Sequence, residues 1–125
     1  MLASRIISEG GLKIRDSGVD VEIRLPWYRS LPLSTVEIGE VLLDGQPVAR
    51  PSISFELNGK THRLDRLADR YDDWWYVLDS GFLHIADQDL KRGSRHEVNV
   101  SVGLRPPYIP GFYRLYGCKK RLCAV

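Results

Sequence analysis

The side chains that could support acid–base or metal chemistry are few and scattered along the chain. The histidines are His62, His84 and His96, and the cysteines are Cys118 and Cys123. No histidine stands at metal-ligand spacing from a carboxylate or another histidine, and no histidine separates the cysteines. We therefore predict a structural role for each histidine, and no metal or cofactor on this chain. The cysteines are expected to be reduced thiols, with a disulfide as the alternative.

A cluster of charged side chains occupies positions 63–73. It consists of Asp65, Asp69, Asp72 and Asp73 among Arg63, Arg66 and Arg70. Such interleaved charges are more typical of surface ion pairs than of acid–base catalysis. No serine or cysteine lies in a nucleophile elbow, and no glycine-rich loop leads from a strand into a helix. We predict no catalytic residue on this chain.

Two unusual loops are the strongest candidates for a functional site. Residues 25–33 read LPWYRSLPL and residues 103–111 read GLRPPYIPG. Loops that stay in water are usually polar, whereas these combine aromatic and aliphatic residues with arginine and proline. That composition is typical of the core of a protein interface, or of the mouth of an active site formed there. The candidate residues are Trp27, Tyr28, Arg29 and Leu31 in the first loop, and Arg105, Pro107, Tyr108 and Ile109 in the second.

The alternative is that both loops fold over the end of the domain and complete its core. The neighbouring pair Trp74–Trp75 bears on the same question, because adjacent residues of a strand face opposite sides. One of these two indoles must therefore be covered by a partner or by another part of the chain.

Strands must position these loops, because apolar and polar residues alternate along several segments. Residues 19–25, 53–57 and 98–104 read VDVEIRL, ISFEL and VNVSVGL, which predicts strands with one buried face. Asp44–Gly45 and Asn58–Gly59 are typical of tight hairpin turns. Asp79–Ser80–Gly81 suggests a further hairpin, between residues 75–78 and 82–85.

These patterns predict an all-β fold, an antiparallel, jelly-roll-like β-sandwich with at most one short helix. Leu64, Leu67, Ala68 and Tyr71 recur at helical spacing and would form that helix. Residues 1–125 are expected to form one domain, in which the segment from Phe112 onward is a terminal strand. The predicted core contains Val19 or Val21, Ile23, Phe55, Leu57, Val98, Val100 and Val102.

Charge and hydropathy limit the possible partners. The chain has 18 basic and 16 acidic residues and a net charge of +2, which gives no electrostatic reason to expect nucleic acid. No stretch approaches the roughly 20 apolar residues of a membrane helix, and residues 1–10 lack an apolar run of signal-peptide length. We expect no membrane association and a cytoplasmic location.

Four segments together resemble the β subunit of the bacterial C-glycoside deglycosidases. They are VEIRLPWYRSLPLS at 21–34, the strand and turn ending in Leu43–Asp44–Gly45, YDDWWYVLDSG at 71–81, and VSVGLRPPYIP at 100–110. The LPWYRSLPLS and GLRPPYIP motifs are fairly specific as a pair, and each is weak alone. The resemblance extends over about residues 11–110.

The resemblance implies a hetero-oligomer of two kinds of subunit, in which this chain is the small β-sandwich. The larger α subunit of the family resembles a xylose-isomerase-type TIM barrel and holds a divalent metal, with manganese expected. The complex cleaves the carbon–carbon bond between a 3-oxo-sugar and an aromatic aglycone by β-elimination. The sugar substrate would thus meet this chain only through the complex, since the base and metal ligands belong to the partner.

Two other functions remain open. The exposed tryptophans of a stand-alone carbohydrate-binding sandwich would stack on sugar rings. A structural or oligomerisation domain would bind no ligand. Sugar-binding modules usually space their aromatic residues along an open face, whereas here the aromatic residues cluster with proline and leucine in loops, which favours a protein partner.

Overall fold

The computed structural model describes residues 2–125 and is built almost entirely of antiparallel strands. Met1, which the predicted domain includes, lies outside the described residues. The strands are β1 (Ile7–Arg15), β2 (Gly18–Arg24), β3 (Leu31–Pro32), β4 (Val36–Leu43), β5 (Gln46–Pro47), β6 (Ile53–Leu57), β7 (Lys60–Arg63), β8 (Trp74–Trp75), β9 (Ser80–Ala86), β10 (Arg95–Leu104) and β11 (Arg114–Cys123). Short 3₁₀ helices lie at Ala3–Arg5, Leu33–Thr35, Arg50–Ser52 and Leu64–Asp69.

Two large sheets form the predicted sandwich. One has five strands in the order β1-β2-β9-β6-β7, and the other has four in the order β11-β10-β4-β5. A two-stranded ribbon of β3 and β8 lies apart from both. The inward-facing side chains of both sheets belong to one hydrophobic core. The all-β antiparallel sandwich is therefore confirmed.

The alternating pattern identified the buried face of the strands correctly. Every residue of the predicted core is buried, with no more than 4% of its surface exposed: Val19, Val21, Ile23, Phe55, Leu57, Val98, Val100 and Val102. In β6, for example, the inward residues are buried and the outward Ser54 and Glu56 are half-buried. One-sided burial of this kind is what a period of two residues produces in a sheet.

Two of the predicted hairpin turns are confirmed. Asp44 and Gly45 join β4 to β5 with φ values of 52° and 79°. Asn58 and Gly59 join β6 to β7 with φ values of 52° and 81°. Two successive residues with positive φ give the backbone twist that suits a two-residue hairpin, and Asx-Gly tolerates that conformation best.

The third predicted hairpin is wrong. Residues 75–78 do not pair with 82–85, because β8 pairs with β3 instead and β9 lies between β2 and β6. Residues 76–79 form a turn whose backbone is held from outside the predicted hairpin: the Val77 amide donates to Ser30 Oγ at 3.0 Å. Local sequence shows where a turn lies but not which strand the neighbouring residues will pair with.

The predicted helix is shorter and tighter than its spacing suggested. It is a 3₁₀ helix over Leu64–Asp69, in which Leu64 and Leu67 are buried. A 3₁₀ helix repeats every three residues, so positions 64 and 67 share a face while 68 and 71 do not. Ala68 and Tyr71 are accordingly exposed, and Tyr71 lies beyond the end of the helix.

The C-terminal segment forms the predicted terminal strand and closes one side of the sandwich. β11 pairs with β10 from Arg95↔Cys123 to Leu104↔Arg114. The chain then turns to β1, where the Ile14 amide donates to the carbonyl of Val125 at 2.8 Å. No helix in residues 2–125 is long and apolar enough to cross a membrane.

The two cysteines lie on the same strand and are both free thiols. They are five positions apart along the strand, which separates their Cα atoms by roughly 17 Å at about 3.4 Å per residue. A disulfide requires Cα atoms within about 7 Å. The alternative of a disulfide between Cys118 and Cys123 is thus excluded by the strand that carries them.

Candidate protein interface

The two unusual loops meet at one end of the sandwich. The first follows β2, and the second joins β10 to β11. Their central contact is a hydrogen bond of 2.5 Å, donated by Trp27 Nε1 to the hydroxyl oxygen of Tyr108. The ring of Tyr28 lies 4.8 Å from that of Trp27, centroid to centroid. A hydrogen bond to the Tyr108 hydroxyl also raises the pKa of Tyr28.

Burial divides the candidate residues into two groups. Trp27 and Leu31 are 6% and 0% exposed, respectively, and belong to the hydrophobic core. Leu31 pairs with Trp75 in the β3–β8 ribbon, which turns its side chain inward. These two residues are covered by the chain itself. For them, the alternative that the loop completes the core of the domain describes the structure. The surface that a partner could contact therefore consists of the other candidates.

The remaining candidate residues lie at the surface. Tyr28 and Tyr108 are 59% and 41% exposed. Arg29, Arg105 and Pro107 are also exposed, while Ile109 is half-buried and packs against the core. Exposed aromatic rings backed by buried ones form a firm surface, because the buried members fix the loop backbone.

The two arginines of these loops have different surroundings. Arg105 is engaged within the chain: its Cζ lies 4.3 Å from the Tyr113 ring centroid, and its Nη1 is 3.7 Å from Glu37 Oε2. The pKa of Tyr113 is raised, first by burial and second by the hydrogen bond that the Tyr113 hydroxyl donates to Glu37. Arg29 Cζ lies 4.8 Å from the Tyr108 ring centroid. Arg29 forms no hydrogen bond or ion pair with any residue in the described part of the chain.

A third segment, residues 71–78, extends this surface. Trp75 is fully buried against Phe55, with ring centroids 5.1 Å apart, whereas Trp74 is 41% exposed. The two indoles therefore face opposite sides, as expected: Trp75 enters the core, and Trp74 lies at the surface, so its covering by a partner stays a prediction. Arg24 Nη1 holds this segment beside β2 by donating to the carbonyl of Leu78 at 3.0 Å.

Three exposed side chains of this segment were not predicted as site residues. Tyr71, Tyr76 and Leu78 are 70%, 54% and 78% exposed. Sequence patterns placed residues 75–78 in a strand, where alternate residues would have been buried. The available signal was the number of aromatic residues in the run, which exceeded what one strand face could bury.

Most of the exposed large hydrophobic residues are found on these segments. Among residues 2–125, Leu115 on β11 and Val125 lie elsewhere, and the others are Tyr28, Tyr71, Trp74, Tyr76, Leu78, Tyr108 and Tyr113. We call the surface formed by residues 28–29, 71–78 and 105–113 the aromatic end. Apolar side chains concentrated in one region of a surface are typical of an interaction site.

A separate polar network lies on the outer face of the five-stranded sheet. The imidazole of His84 bridges two carboxylates, with Nδ1 2.5 Å from Asp20 Oδ1 and Nε2 2.8 Å from Glu56 Oε1. Arg15 Nε donates to the second oxygen of Asp20 at 2.7 Å. Burial opposes the charge on His84, but the hydrogen bonds to the two carboxylates prevail and raise its pKa. The network links β2, β9 and β6 beside an open groove of about 760 Å³.

The other two histidines also have surroundings set by the fold. His96 lies between Ser94 and Asp44, with Nδ1 2.6 Å from Asp44 Oδ2. His62 is buried, and its Nε2 has no hydrogen-bond partner among the described residues. Burial lowers the pKa of His62. No group of three or more histidine, cysteine or acidic side chains in residues 2–125 could hold a metal ion.

Comparisons with known proteins agree on one family. Residues 4–108 match the family described as C-glycoside deglycosidase beta subunit. A C-glycoside deglycosidase beta subunit of Microbacterium trichothecenolyticum is 38% identical over 109 residues, covering 87% of this chain and 82% of the relative. One of Arthrobacter globiformis is 36% identical over 109 residues, covering 87% and 83%.

A third relative bears a more specific name. The 3'-dehydrocarminate deglycosidase beta subunit of a Microbacterium species is 37% identical over 110 residues, covering 88% of this chain and 83% of the relative. The family match includes the first loop, the Trp74–Trp75 segment and the second loop as far as Tyr108. The chain belongs to the family of C-glycoside deglycosidase β subunits.

Proposed function

We propose that this chain is the accessory subunit of a heteromeric carbon–carbon lyase and acts only when bound to a larger TIM-barrel subunit. The observation that carries the proposal is the aromatic end, where most exposed large hydrophobic side chains of the described residues are found. An aromatic surface on firmly held loops costs little conformational entropy on docking. The name of the family supports the same division into subunits.

The proposed substrate is a C-glycoside whose sugar carries a 3-keto group, introduced by a separate oxidoreductase. The relative named for 3'-dehydrocarminate supports this class, because 3'-dehydro denotes a sugar oxidised at that position. The ketone acidifies the neighbouring C2 proton, which a base on the larger subunit removes. The C1–aglycone bond then breaks, its electron pair passes to the aglycone carbon, and that carbon takes up a proton.

We place the divalent metal, with manganese as the proposed ion, on the larger subunit. Side chains of this chain do not fit such a site, since residues 2–125 hold no group of three or more potential ligands. A metal of this kind supplies Lewis-acid stabilisation of the enolate oxygen. The role of this chain would be to cover and shape the larger subunit near its active site.

We propose that the two kinds of subunit form a higher-order hetero-oligomer in the cytoplasm.

Reconstitution tests the proposal. The full chain and the larger subunit of the same bacterium are purified separately, and each is assayed alone and mixed, with a 3-oxo-C-glycoside and its unoxidised parent. We expect the aglycone to be released from the oxidised substrate by the mixture only. Cleavage by this chain alone, or full activity of the larger subunit alone, would contradict the proposal.

A stand-alone carbohydrate-binding role is the second candidate, because Trp74 and Tyr76 are 41% and 54% exposed on one short segment. Exposed aromatic rings can stack on sugar faces. Calorimetric titration of the full chain with free sugars and with C-glycosides distinguishes the two functions. Sugar binding that is lost in Trp74→Ala, with no binding to the larger subunit, would favour this candidate.

A further inference from the structure

We propose that Arg29 binds a carboxylate of the larger subunit, and is the charged anchor around which the aromatic end docks. The inference rests on the proposed function and specifies the chemistry of the partner surface: an aspartate or glutamate that faces Tyr108. It follows from how Arg29 is held, from the lack of a counter-ion nearby, and from the cost of covering a charge.

Arg29 lies over an aromatic side chain that is itself fixed by a buried neighbour. Its guanidinium carbon lies 4.8 Å from the centroid of the Tyr108 ring. Tyr108 is fixed in turn by the indole N–H of Trp27, which donates to its hydroxyl at 2.5 Å, and Trp27 is buried. A guanidinium over an aromatic face makes that contact without using its N–H donors, which stay free for another partner. Little side-chain freedom remains to be lost when a ligand binds.

Among residues 2–125, no carboxylate lies within ion-pair distance of Arg29. Aspartate and glutamate are absent from residues 25–36 and 98–125. The two aspartates of residues 71–78 do not pair with Arg29: Asp73 binds Lys60 Nζ at 2.8 Å, and Asp72 is exposed to solvent. Glu22, the nearest acidic residue along the chain, accepts from Ser80 Oγ at 2.6 Å. Glu37, the nearest one on the other side, is engaged by the Tyr113 hydroxyl at 3.0 Å and by Arg105. Arg105 is thus neutralised within the chain, whereas Arg29 has no ion pair among residues 2–125.

Docking of the aromatic end would remove Arg29 from water. A buried charge without a partner is strongly unfavourable, and an arginine is not neutralised by losing its proton. The covering surface must therefore present an anion. A carboxylate meets the two parallel N–H donors of a guanidinium with two oxygens, whereas a backbone carbonyl leaves the charge uncompensated. A protein partner offers such a carboxylate as aspartate or glutamate.

Affinity measurements provide the first test. Binding of the full chain to the larger subunit is measured by calorimetry at low and high salt, for the wild type, Arg29→Glu, Arg29→Lys and Arg92→Glu. Arg92 is a matched control, since it is also exposed and lies on the β9–β10 connection at the opposite end of the sandwich.

We expect Arg29→Glu to weaken binding by about 100-fold and to abolish most of its salt dependence. Arg29→Lys should lose about tenfold, because an ammonium keeps the charge but not the paired donors. Arg92→Glu should bind as the wild type does. Affinity of Arg29→Glu within about twofold of the wild type would overturn the inference, as would unfolding of the free Arg29→Glu chain.

Zero-length cross-linking provides the second test and identifies the acceptor. A carbodiimide joins an amine to a carboxylate only when the two are in contact. In the assembled complex, the amine introduced by Arg29→Lys should be linked to one aspartate or glutamate of the larger subunit, and Arg92→Lys should give no such product. An assembled Arg29→Lys complex without that link would contradict the inference.

The two proposals fail in different ways. If the wild-type chain does not bind the larger subunit, the proposed function is wrong. If the wild-type complex forms and is active, but Arg29→Glu leaves its affinity and salt dependence unchanged, only the role of Arg29 is wrong.

Discussion

Trp27 lies where the hydrophobic core ends and the exposed aromatic surface begins. Its indole is 6% exposed, and it packs near Phe112 and Tyr116 as well as Tyr28. The sequence marked this residue as unusual but did not show which way its side chain points. In an irregular loop no periodicity relates position to burial, so only the tertiary structure distinguishes Trp27 from Tyr28.

Trp27→Ala should destabilise the free chain. Truncating a buried tryptophan removes a large apolar side chain and leaves a cavity, which typically costs about 3–5 kcal/mol. Urea unfolding of the free chain measures this loss. Trp74→Ala, at a 41% exposed indole, is the matched control and should cost less than about 1 kcal/mol. Equal losses in the two variants would contradict the assignment of Trp27 to the core.

Tyr108→Phe removes the hydroxyl through which the two loops are hydrogen-bonded. The variant keeps the ring beneath Arg29 but loses the oxygen that accepts from Trp27 Nε1 and that also contacts the Tyr28 hydroxyl. We expect a loss of about 1 kcal/mol in unfolding free energy, the usual value for one such bond. Since the guanidinium still has its aromatic partner, affinity for the larger subunit should fall far less than in Arg29→Glu. Comparable affinity losses would show that the hydroxyl, not the stacked guanidinium, dominates docking.

His84 gives the chain a pH-dependent contribution to stability. Its pKa in the folded chain is raised, despite burial, by Asp20 and Glu56, with Arg15 also bound to Asp20. Its contribution is therefore fully present below the unfolded pKa of about 6.5 and is lost as pH rises through the folded pKa. A neutral imidazole can donate to only one of the two carboxylates.

We expect His84→Gln to destabilise the chain more at pH 6 than at pH 9, by on the order of 1 kcal/mol. Paired urea titrations of the wild type and the variant at both pH values measure this difference. His62, whose pKa is lowered, remains in both proteins and cancels from the comparison. A destabilisation that is the same at both pH values would contradict the proton-linked role of His84.

At the scale of elements, Gly81 allows β9 and the β3–β8 ribbon to pack together. A Cβ on this residue would lie 2.4 Å from Cε1 of Phe55, whose ring in turn packs on Trp75. The space left by the missing side chain is thus filled by an aromatic ring from β6. Because Trp75 anchors residues 71–78, this packing also determines where the aromatic end lies.

Gly81→Ala should therefore lower the unfolding free energy by about 1–3 kcal/mol, as overpacking of a core usually does. Gly117→Ala is the control, because a Cβ there would meet only Ser101 Oγ, at 3.7 Å. The control should be neutral or slightly stabilising. Thermal melting of the three proteins ranks them, and a neutral Gly81→Ala would show that the Phe55 ring moves aside freely.

The regular strands and the two-residue turns were predictable, since alternation and Asx-Gly pairs act locally. The partner of β8 was not, because its pairing depends on Ser30 and Leu31, more than 40 residues earlier in the chain. The His84 network was hidden for the same reason: its carboxylates come from two strands that adjoin β9 only in the folded sheet. The two loops of the aromatic end were predictable from composition, and Trp74–Trp75 pointed to the same surface. The structure added the exposed side chains of Tyr71, Tyr76 and Leu78.

At the scale of the whole molecule, the C-terminal strand is an integral part of the sandwich, although the family match ends at residue 108. β11 pairs along the whole of β10, and Leu122 and Ala124 are buried in the core. The backbone of Val125 then bonds to Leu12 and Ile14 of β1. The four-stranded sheet would otherwise leave β10 as an unpaired edge.

A chain shortened to residues 1–113 should consequently fail to fold cooperatively. It retains both loops and the whole matched segment but exposes the edge of β10 and the core beside it. We expect the shortened chain to aggregate at micromolar concentration and to show no cooperative thermal transition. A sharp melting transition close to that of the full chain would show that β11 is dispensable.

Because the chain returns to β1 at Val125, that residue and the aromatic end lie toward opposite ends of the sandwich. Val125 lies beside Leu12 and Ile14, while Tyr28, Arg29 and Tyr108 lie beyond the other ends of the strands. A flexible tether attached after Val125 and fixed to a solid support would therefore present the aromatic end to solution. The same tether attached at residue 108 or 109 would place the support where the partner must bind. Comparing the two attachment sites thus separates a loss of binding caused by the orientation on the support from a true loss of affinity, in any surface-based binding measurement on this protein.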